Sequence, residues 1–583
     1  MTTSPDKTTA TAAPTTTTSS QTSPAKKRRR TSPSGGGSSS SSGKKKSSTP
    51  HESTPKSATA VAPANILLVD NGGDTIKYGW LTDSEPKLLP NKTARLQHQW
   101  TVLVADEIDK VQNPSSLYGI TRSTERGMIT NLGNQTQVWK RMLDQLGVTI
   151  PLNHSEAANS LGWKVAASRS SKGVEAKTKA KASKSIPSHS VAVVLLLPPY
   201  CPRVLLDQII NVWMDDFGVA RFGLGISSVM AAQEHPQYKT SCVVDVGWSH
   251  CQVIPTFRKR PITPSWAIRR VPIGGRHLIN ILKYYASYRQ YNLMDQEQIL
   301  KDVLERLAYV SLEFSKDLEL ARRLPSGKRP YDRDYILPNY QTTTQGTVRL
   351  PLPLIKLQEQ EQKLRAGKNN EEEEEEEEND EDYEEDCKNN DEDDEDDNVD
   401  IKRDEVVSEG SDDDEETEEQ IMARVMRQRA DEERRKREKE EEEQSLRVSV
   451  ERFTIPEVLF RPMDAGLPKD LVGLHQAIFQ SIQACPEPYK PALYRSIYVT
   501  GGLSQLPDLK ARLERELRSL IPCEFDLDIK VAESPIHRAW LGAKERLQEA
   551  PHIEWSISKA EWEAASKRKA YSRLLISNEG WYV

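Results

Sequence analysis

Short apolar runs alternate with longer stretches of helical periodicity along much of the chain. Val191–Leu197 and Ile497–Val499 are typical of buried strands, and the spacing of apolar residues over Leu509–Leu520 predicts an amphipathic helix. No apolar run approaches the roughly 20 residues that are needed to span a bilayer. Strands that alternate with helices indicate an α/β fold.

Three segments lack this periodicity. Residues 1–63 are rich in Ser, Thr, Pro and basic residues and predict a disordered tail, and residues 155–189 are rich in Lys and Ser and predict an exposed insertion. Residues 355–444 predict an extended acidic insertion. Its last part, Ile421–Gln444, has the composition of a solvent-exposed helix with many ion pairs.

The segments between them form the predicted folded body. They are residues 64–154, 190–354 and 445–583, of which the last includes an extended C-terminus. Their combined length of about 395 residues exceeds what one hydrophobic core usually holds, so two lobes are predicted.

Charge is distributed unevenly along the chain. The formal net charge is −7, yet residues 371–420 hold 32 acidic and 3 basic side chains, so the rest of the chain is strongly basic. Lys26–Arg30 and Lys44–Lys46 suit a nuclear import signal or contact with phosphates. This predicts a nuclear location, with the cytoplasm as a second one. A solvated tail without such a role is the alternative.

Secreted and membrane classes are not favoured. The N-terminus lacks the apolar segment of a secretory signal, and the six cysteines form no C-x-x-C pair. This spacing argues against a zinc site or a disulfide framework and fits a reducing compartment. The cysteines are expected to be buried apolar groups, and no membrane partner is expected.

Three apolar strands end in turns that contain glycine. Asp70 and Gly72 follow the first strand, where a tight Asn-Gly hairpin is predicted, Asp245 and Gly247 follow the second, and Gly501-Gly502 follows the third. Glycine lets backbone N–H groups approach phosphates, and a carboxylate at a strand end can hold hydrated Mg²⁺. Together the turns predict a nucleotide site between two lobes. Simple turn capping by the two aspartates is the alternative.

Longer motifs carry a specific resemblance to a known family. They are Gln298–Val310, Glu451-Arg452-Phe453 with Pro456-Glu457 and Leu459-Phe460, Thr500-Gly501-Gly502, and Ala539-Trp540-Leu541-Gly542. In order and spacing they resemble the actin family over nearly all of the folded body. The resemblance implies an actin-like two-lobe α/β fold of the actin, heat-shock chaperone and hexokinase superfamily. That fold has duplicated mixed five-stranded sheets, here with long disordered insertions.

The resemblance also implies which residues would bind a nucleotide. Asp70 and Asp245 match aspartates that hold the metal through water, and Lys77 matches a lysine that contacts the β- and γ-phosphates. The positions implied to bind the cofactor are Asp70, Gly72, Lys77, Asp245, Gly247, Gly275, Glu305, Gly501 and Gly502. The implied cofactor is ATP with Mg²⁺, held as a structural ligand that is not turned over.

The departures from the actin pattern fall where hydrolysis would occur. Ser227 stands where actin has the glutamine that positions the attacking water, and Gln252 replaces a histidine near the γ-phosphate. Asp74 adds a carboxylate that would repel phosphate, and Ser249 replaces a glycine. Trp248 is either a bulky obstacle or a core aromatic. Because phosphoryl transfer depends on positioning and electrostatics, no catalytic residue and no efficient turnover are predicted.

Other motifs resemble the nuclear actin-related proteins within this family. They are Pro90–Arg95, Asp106-Glu107-Ile108, Gln137-Val138-Trp139, Tyr288-Arg289-Gln290 and Arg461–Gly466. The resemblance implies a non-catalytic subunit of a nuclear chromatin-remodelling complex that exchanges a variant histone into nucleosomes. The implied partners are the remodelling ATPase, other subunits including a small zinc-finger protein, and nearby histones or nucleosomal DNA.

Two other functions fit part of the pattern. An actin-like ATPase with a cytoskeletal role, which forms or regulates filaments, would need water-activating side chains that Ser227 and Gln252 do not provide. A sugar or metabolite kinase of the same superfamily fits the two lobes and the hairpins. It does not explain the Glu451–Phe453 motif.

Two further features have open roles. The acidic stretch Glu371–Glu419 is hypothesised to bind basic histone surfaces, with a purely solvating insertion as the alternative. Three C-terminal tryptophans either anchor a partner or pack back on the body, and they are Trp555, Trp562 and Trp581.

Overall fold

The structure of the chain is a computed structural model. It describes residues 65–97, 101–111, 116–150, 185–358, 444–549 and 556–564, apart from isolated positions inside these ranges, together with a few helical positions between 360 and 436. The predicted tail at 1–63 and most of the predicted insertions at 155–189 and 355–444 lie outside the described residues. The predictions made for those segments stay predictions.

The strands are numbered here in chain order. They are β1 (Ile66–Asn71), β2 (Thr75–Trp80), β3 (Lys87–Pro90), β4 (Lys92–Leu96), β5 (Val102–Val104), β6 (Leu117–Arg122), β7 (Thr124–Glu125), β8 (Met128–Ile129), β9 (Val148–Thr149), β10 (Ile186–Pro187), β11 (Ala192–Leu197), β12 (Arg221–Ile226), β13 (Thr240–Val246), β14 (Cys251–Phe257), β15 (Arg260–Pro261), β16 (Arg269–Val271), β17 (Arg333–Ile336), β18 (Thr347–Arg349), β19 (Ser445–Val448), β20 (Ile497–Thr500), β21 (Ile529–Val531) and β22 (Ser556–Ser558).

The α-helices are numbered in the same way. They are α1 (Asp106–Asp109), α2 (Leu132–Gln145), α3 (Arg203–Asn211), α4 (Ser227–Met230), α5 (Gly275–Arg289), α6 (Glu297–Leu307), α7 (Phe314–Arg323), α8 (Glu451–Glu457), α9 (Leu474–Gln483), α10 (Lys490–Tyr494), α11 (Leu509–Leu520), α12 (Arg538–Glu549) and α13 (Lys559–Ala564). α11 has the bounds that the sequence periodicity predicts.

The first lobe is built on a sheet with the strand order β22-β12-β11-β1-β2-β3. β1 pairs in parallel with β11 and antiparallel with β2. Every residue of β1 is buried, because a central strand of such a sheet is covered on both faces. Leu67 joins a hydrophobic cluster with Trp139 of α2, whereas Leu68 joins one with Trp540 of α12. α2 and α12 therefore pack on the two faces of the strand that leads to Asp70.

The second lobe repeats this arrangement. β13 pairs antiparallel with β14 and in parallel with β20, β21 continues beside β20, and β16 lies antiparallel to β14. The order β16-β14-β13-β20-β21 thus corresponds to β3-β2-β1-β11-β12 of the first lobe. The duplicated mixed five-stranded sheets expected for an actin-like fold are confirmed. Each sheet carries one further strand, β22 in the first lobe and β15 in the second.

Smaller sheets flank the lobes. One of them has the strand order β5-β4-β6, and another has the order β18-β17-β19. β19 directly follows the predicted acidic insertion in the sequence and pairs with β17. β10 pairs with β9, so the described chain resumes inside the segment that composition marks as the insertion 155–189. The pairing extends the body a few residues past the compositional boundary.

The C-terminal part of the described chain packs on the first lobe. β22 pairs antiparallel with β12, and the buried Arg221 of β12 forms an ion pair with Glu561 of α13. Trp562 packs against the first-lobe core. Of the two roles predicted for this tryptophan, packing on the body is confirmed. Trp555 and Trp581 lie outside the described residues.

The cysteines and the helices bear on the class of protein. The cysteines that are buried as expected are Cys201, Cys242, Cys251 and Cys485. The expectation is wrong for Cys523, which is exposed because it lies in the turn after α11, and Cys387 lies outside the described residues. Among the helices in the described ranges, none is long and apolar enough to cross a membrane.

Candidate functional site

A cavity of about 460 Å³ lies between the two lobes, a volume typical of small-molecule sites. The turns after β1, β13 and β20 all contribute to its walls. It is lined by all nine residues that the sequence analysis assigns to a nucleotide, namely Asp70, Gly72, Lys77, Asp245, Gly247, Gly275, Glu305, Gly501 and Gly502. The fold therefore brings the predicted positions together, and ligand binding by them stays a prediction.

The turn of the first hairpin is wider than the sequence predicts. Asn71 still pairs with Ile76, which leaves Gly72–Thr75 as the turn, so the predicted two-residue Asn-Gly turn is wrong. The reason is tertiary. The side-chain amide of Asn91 donates to the Gly72 carbonyl at 2.9 Å, and the backbone N–H of Asn91 donates to the Asp74 carbonyl at 2.7 Å. A neighbouring strand end thus holds the wider turn.

A buried polar network fixes the position of this hairpin. The indole N–H of Trp139 donates to Asn71 Oδ1 at 3.1 Å. Gln135 Oε1 accepts from the Asn91 amide at 3.2 Å and from the Ser123 hydroxyl at 2.5 Å. Because unpaired buried polar groups are expensive, a connected network of this kind allows few alternative positions for the turn.

Two carboxylates end the central strands of the two sheets. Lys77 Nζ lies 3.5 Å from Asp70 Oδ2, and the Ser228 hydroxyl donates to Asp245 Oδ2 at 3.1 Å. Burial, followed by the nearby Asp70 carboxylate, raises the pKa of Asp245 to about 6. The repulsion that Asp70 exerts on the charged form of Asp245 fits a site for a divalent cation, which would remove that repulsion.

Several glycines around the cavity leave no room for a side chain. Gly501 has a φ of +94°, and a Cβ on it would lie 2.6 Å from Asp245 Oδ1. A Cβ on Gly275 would lie 2.9 Å from the ring of Trp248, whereas Gly502 faces open space. The arrangement fits a phosphate-bearing ligand with a divalent cation. Asp70 and Asp245 would hold the hydrated cation and Lys77 the phosphates, whose negative charge the cation would offset.

The residues that depart from the actin pattern lie where the sequence places them. Ser227 lines the cavity at the start of α4, and Gln252 is buried opposite Asp245 in the β13-β14 ladder. Trp248 is half-buried, packs against the second-lobe core and also lines the cavity, so both roles considered for it apply in part. Its indole N–H has no hydrogen-bond partner in the part of the chain that the structure describes.

Asp74 does not stand alone beside the phosphate position. Its carboxylate forms ion pairs with Arg122 at 2.9 Å and with Lys301 at 2.6 Å. Burial would raise the pKa of Asp74, but these two cations outweigh it and lower the pKa overall. The repulsion of phosphate that the sequence analysis expects from Asp74 is therefore offset by these two cations. The compensating cations come from β6 and α6, which local sequence could not connect with the hairpin.

His250 also lines the cavity, and the sequence analysis assigns it no role. It lies in the turn of the second hairpin, with Nδ1 at 3.0 Å from the Ser249 hydroxyl and Nε2 at 3.4 Å from Gln252 Oε1. Burial, with help from the charge of Arg270, lowers the pKa of His250 to about 3, so the ring is neutral near pH 7. Its place in the hairpin, two residues from Gln252, is the signal that could have indicated it.

The site and the fold agree with comparison to known proteins. A sequence profile of the actin family matches residues 61–570. The chain belongs to the actin family. It is 28% identical over 531 residues to actin-related protein 6 of Arabidopsis thaliana. That match covers 88% of this chain and 99% of the relative. It is 23% identical to actin-related protein 6 of Drosophila melanogaster over 84% of this chain and 94% of the relative.

The comparison also supports the narrower resemblance. Actin-related protein 6 of Neurospora crassa is 24% identical over 87% of this chain and 94% of that protein. The resemblance to actin-related protein 6 that the motifs indicate is thereby confirmed. The actin fold is that of an ATPase family which typically binds ATP with Mg²⁺. The matched range extends beyond β22 and α13, so both elements fall inside the family match.

Replacing His250 with glutamine is expected to reduce the loss of stability in acid. A histidine with a depressed folded-state pKa contributes stability that is present above about pH 6.5 and is lost as the pH falls toward 3. Between pH 7 and pH 4.5 the loss due to His250 is at most about 2–3 kcal/mol, from about 1.4 kcal/mol per pH unit.

Urea unfolding of wild type and His250→Gln at the two pH values measures this difference. The exposed His189 offers a control, because His189→Gln should leave the pH dependence of wild type unchanged. Equal acid losses in His250→Gln and wild type would mean that His250 takes up no proton on unfolding.

Proposed function

We propose that this chain is a non-catalytic actin-related subunit of a nuclear chromatin-remodelling complex that exchanges a variant histone into nucleosomes. Its role there is to assemble the complex and couple it to the nucleosome, with nucleotide held at most as a structural ligand. The observation that carries the proposal is the similarity to proteins named actin-related protein 6 over 84 to 88% of the chain.

The cavity supports nucleotide binding better than nucleotide hydrolysis. Asp70, Asp245 and Lys77 supply the charges that a Mg²⁺–phosphate unit needs. Hydrolysis needs in addition a water that is held and activated beside the terminal phosphate. Ser227 offers only a short hydroxyl for that purpose. Both ring nitrogens of His250 are already close to polar atoms of Ser249 and Gln252, which leaves neither of them directed at a water.

The proposed partners follow from the same resemblance. They are the remodelling ATPase, other subunits including a small zinc-finger protein, and histones or nucleosomal DNA nearby, and the proposed location is the nucleus. The basic surplus outside residues 371–420 supports proximity to DNA, because Lys and Arg gain affinity from phosphate contacts. The acidic stretch Glu371–Glu419, which lies outside the described residues, is proposed to bind basic histone surfaces.

Native affinity purification of the tagged chain with mass spectrometry tests the proposal. The expected result is recovery of a remodelling ATPase, further subunits of its complex and a variant histone. A chain that lacks residues 371–420 is the matched variant. This variant should still co-purify with the remodelling ATPase but no longer with the histone. Unchanged histone recovery would rule out the role given to the acidic stretch. Recovery of filament-binding proteins instead would overturn the assignment.

Lys77→Ala is expected to weaken Mg·ATP binding at least tenfold, because a charge-assisted contact with phosphate is lost. Calorimetric titration of the full chain measures the affinity, and phosphate release measures turnover. Wild type should release no more phosphate than Lys77→Ala. The exposed Lys87 provides the control, since Lys87→Ala should bind as wild type does.

Two results would contradict these expectations in different ways. Phosphate release by wild type that Lys77→Ala abolishes would identify a working ATPase. Wild type that binds no Mg·ATP would exclude even a structural nucleotide, while the purification experiment would still decide the role as a complex subunit.

An actin-like ATPase with a cytoskeletal role is the second candidate. The observation in its favour is that nine positions of the family's nucleotide site meet in a single cavity. It requires the phosphate release described above and also filaments that sediment when Mg·ATP is added. A chain that neither hydrolyses ATP nor sediments excludes it.

A further inference from the structure

Four charged side chains form a network at the edge of the cavity. Asp74 of the first hairpin pairs with Lys301 of α6 at 2.6 Å, and Arg122 at the end of β6 pairs with Asp74 at 2.9 Å. Arg122 also pairs with Glu297 of α6, to which its Nε donates at 3.2 Å. Asp74 and Arg122 belong to the first lobe, whereas α6 packs in the second-lobe core. Two of the three pairs therefore connect the lobes.

Trp248 supports the network from the second hairpin. The guanidinium carbon of Arg122 lies 4.6 Å from the centre of the Trp248 ring, and Lys301 Nζ lies 5.6 Å from it. Cations above an aromatic face are attracted to it, most strongly when they are shielded from water. Both bridging cations are thus held by carboxylates and by the same ring.

The network is partly shielded from solvent, because Arg122 and Asp74 are largely covered while Lys301 and Glu297 are about one-third exposed. The side chain of Arg122 is 6% exposed and that of Asp74 is 19% exposed, whereas the surface pair Lys316–Glu313 is 75% and 46% exposed. Salt and water weaken exposed pairs much more than shielded ones. The pKa of Asp74 is lowered by Arg122 and Lys301 despite burial, so the carboxylate stays charged near pH 7.

The network also lies on a wall shared by two cavities. The site cavity is on one side, and a second cavity of about 320 Å³ between β6 and α6 is on the other. Asp74 and Lys301 line both of them. The ion pairs are therefore placed where separation of the lobes would join the two spaces.

We infer that this network is a clasp that holds the two lobes closed without a nucleotide. Lobes that enclose a ligand usually close because the ligand contacts both of them. Here Asp74–Lys301 and Arg122–Glu297 supply the bridging contacts from the chain itself. The inference goes beyond the proposed function, because it holds whether or not the chain joins a remodelling complex. One consequence is that the surface offered to partners does not change with nucleotide.

Hydrogen exchange of the full-length chain without nucleotide tests the clasp. Lys301→Met removes the bridge to Asp74, and amide exchange over β6 and α6 should then accelerate at least tenfold. Exchange over β20, in the second-lobe core, should stay as in wild type. Lys316→Met is the matched control, because it removes the same charge from an exposed pair and should change neither region.

Two further variants keep the test decisive if Lys301→Met folds poorly. Glu297→Gln removes the other bridge on a half-exposed helix position and should also accelerate exchange over β6 and α6. Lys301→Arg, which keeps the positive charge beside Asp74, should keep the protection of wild type. Exchange in Lys301→Met and Glu297→Gln equal to wild type would overturn the clasp. The clasp would also be overturned if Mg·ATP slowed amide exchange of wild type over β6 and α6 tenfold, because the nucleotide would then be what closes the lobes.

Discussion

Gly542→Ala is expected to destabilise the chain by about 3 kcal/mol, at the upper end of what overpacking a core usually costs. A Cβ on Gly542 would lie 1.8 Å from the Met230 carbonyl oxygen, and backbone cannot move aside as a side chain can. α12 would have to shift away from α4, which carries Ser227 and Ser228 to the cavity. The substitution should therefore lower both stability and ligand affinity.

The same substitution elsewhere provides the control for this prediction. Gly133 lies near the start of α2, and a Cβ there would meet nothing closer than 3.5 Å. Alanine is the better helix former, so Gly133→Ala should be neutral or stabilise by up to about 1 kcal/mol. Urea unfolding midpoints separate the two variants. A Gly542→Ala chain as stable as wild type would mean that α12 can retreat at little cost.

Arg512→Met is expected to lower the free energy of unfolding by about 3–5 kcal/mol, because the buried carboxylate of Glu457 loses its buried partner and keeps only the half-exposed Arg461 at 3.4 Å. Arg512 and Glu457 are each 3% exposed, and their closest nitrogen and oxygen lie 2.9 Å apart. Arg512 also pairs with Glu516 at 2.8 Å and donates to the Ser311 carbonyl. One side chain of α11 thus holds α8 and the segment between α6 and α7 in place.

The pH dependence of this variant gives a second measurement. Burial raises the pKa of Glu457 above its usual range even with Arg512 beside it, and loss of Arg512 should raise it further. The penalty should therefore shrink as the pH falls and Glu457 takes up a proton. The double variant with Glu457→Met should recover most of the stability, because a well-packed apolar pair can replace a buried ion pair. A double variant as unstable as Arg512→Met would contradict this account.

The structure gives the Glu451–Glu457 motif a physical role that the sequence does not reveal. Arg452 Nε donates to the Leu307 carbonyl at 2.7 Å, and Phe453 is fully buried. Glu457 is the partner of Arg512. Residues of this family motif therefore connect α8 with α6, through Arg452, and with α11, through Glu457. Their recognition in the sequence depended on resemblance, since no local pattern predicts these partners.

Local pattern was sufficient for individual strands and helices, whereas the arrangement of the sheets was implied by the family resemblance. The run Val191–Leu197 contains β11, which begins at Ala192, and the spacing of Leu509–Leu520 gives a helix with those bounds. Strand-end aspartates and glycines indicated the cavity as well. These features follow from periodicity and backbone freedom, which each segment carries independently of the rest of the fold.

Tertiary contacts decided how the site is charged and held. Arg122 and Lys301 compensate Asp74, and His250 is neutral because it is buried beside Arg270. Ion pairing and pKa depend on distance and on exclusion of water between residues far apart in the chain. The length of the folded body and the turns at its strand ends therefore predicted two lobes with a nucleotide site between them, whereas only the packing shows that ion pairs connect the lobes.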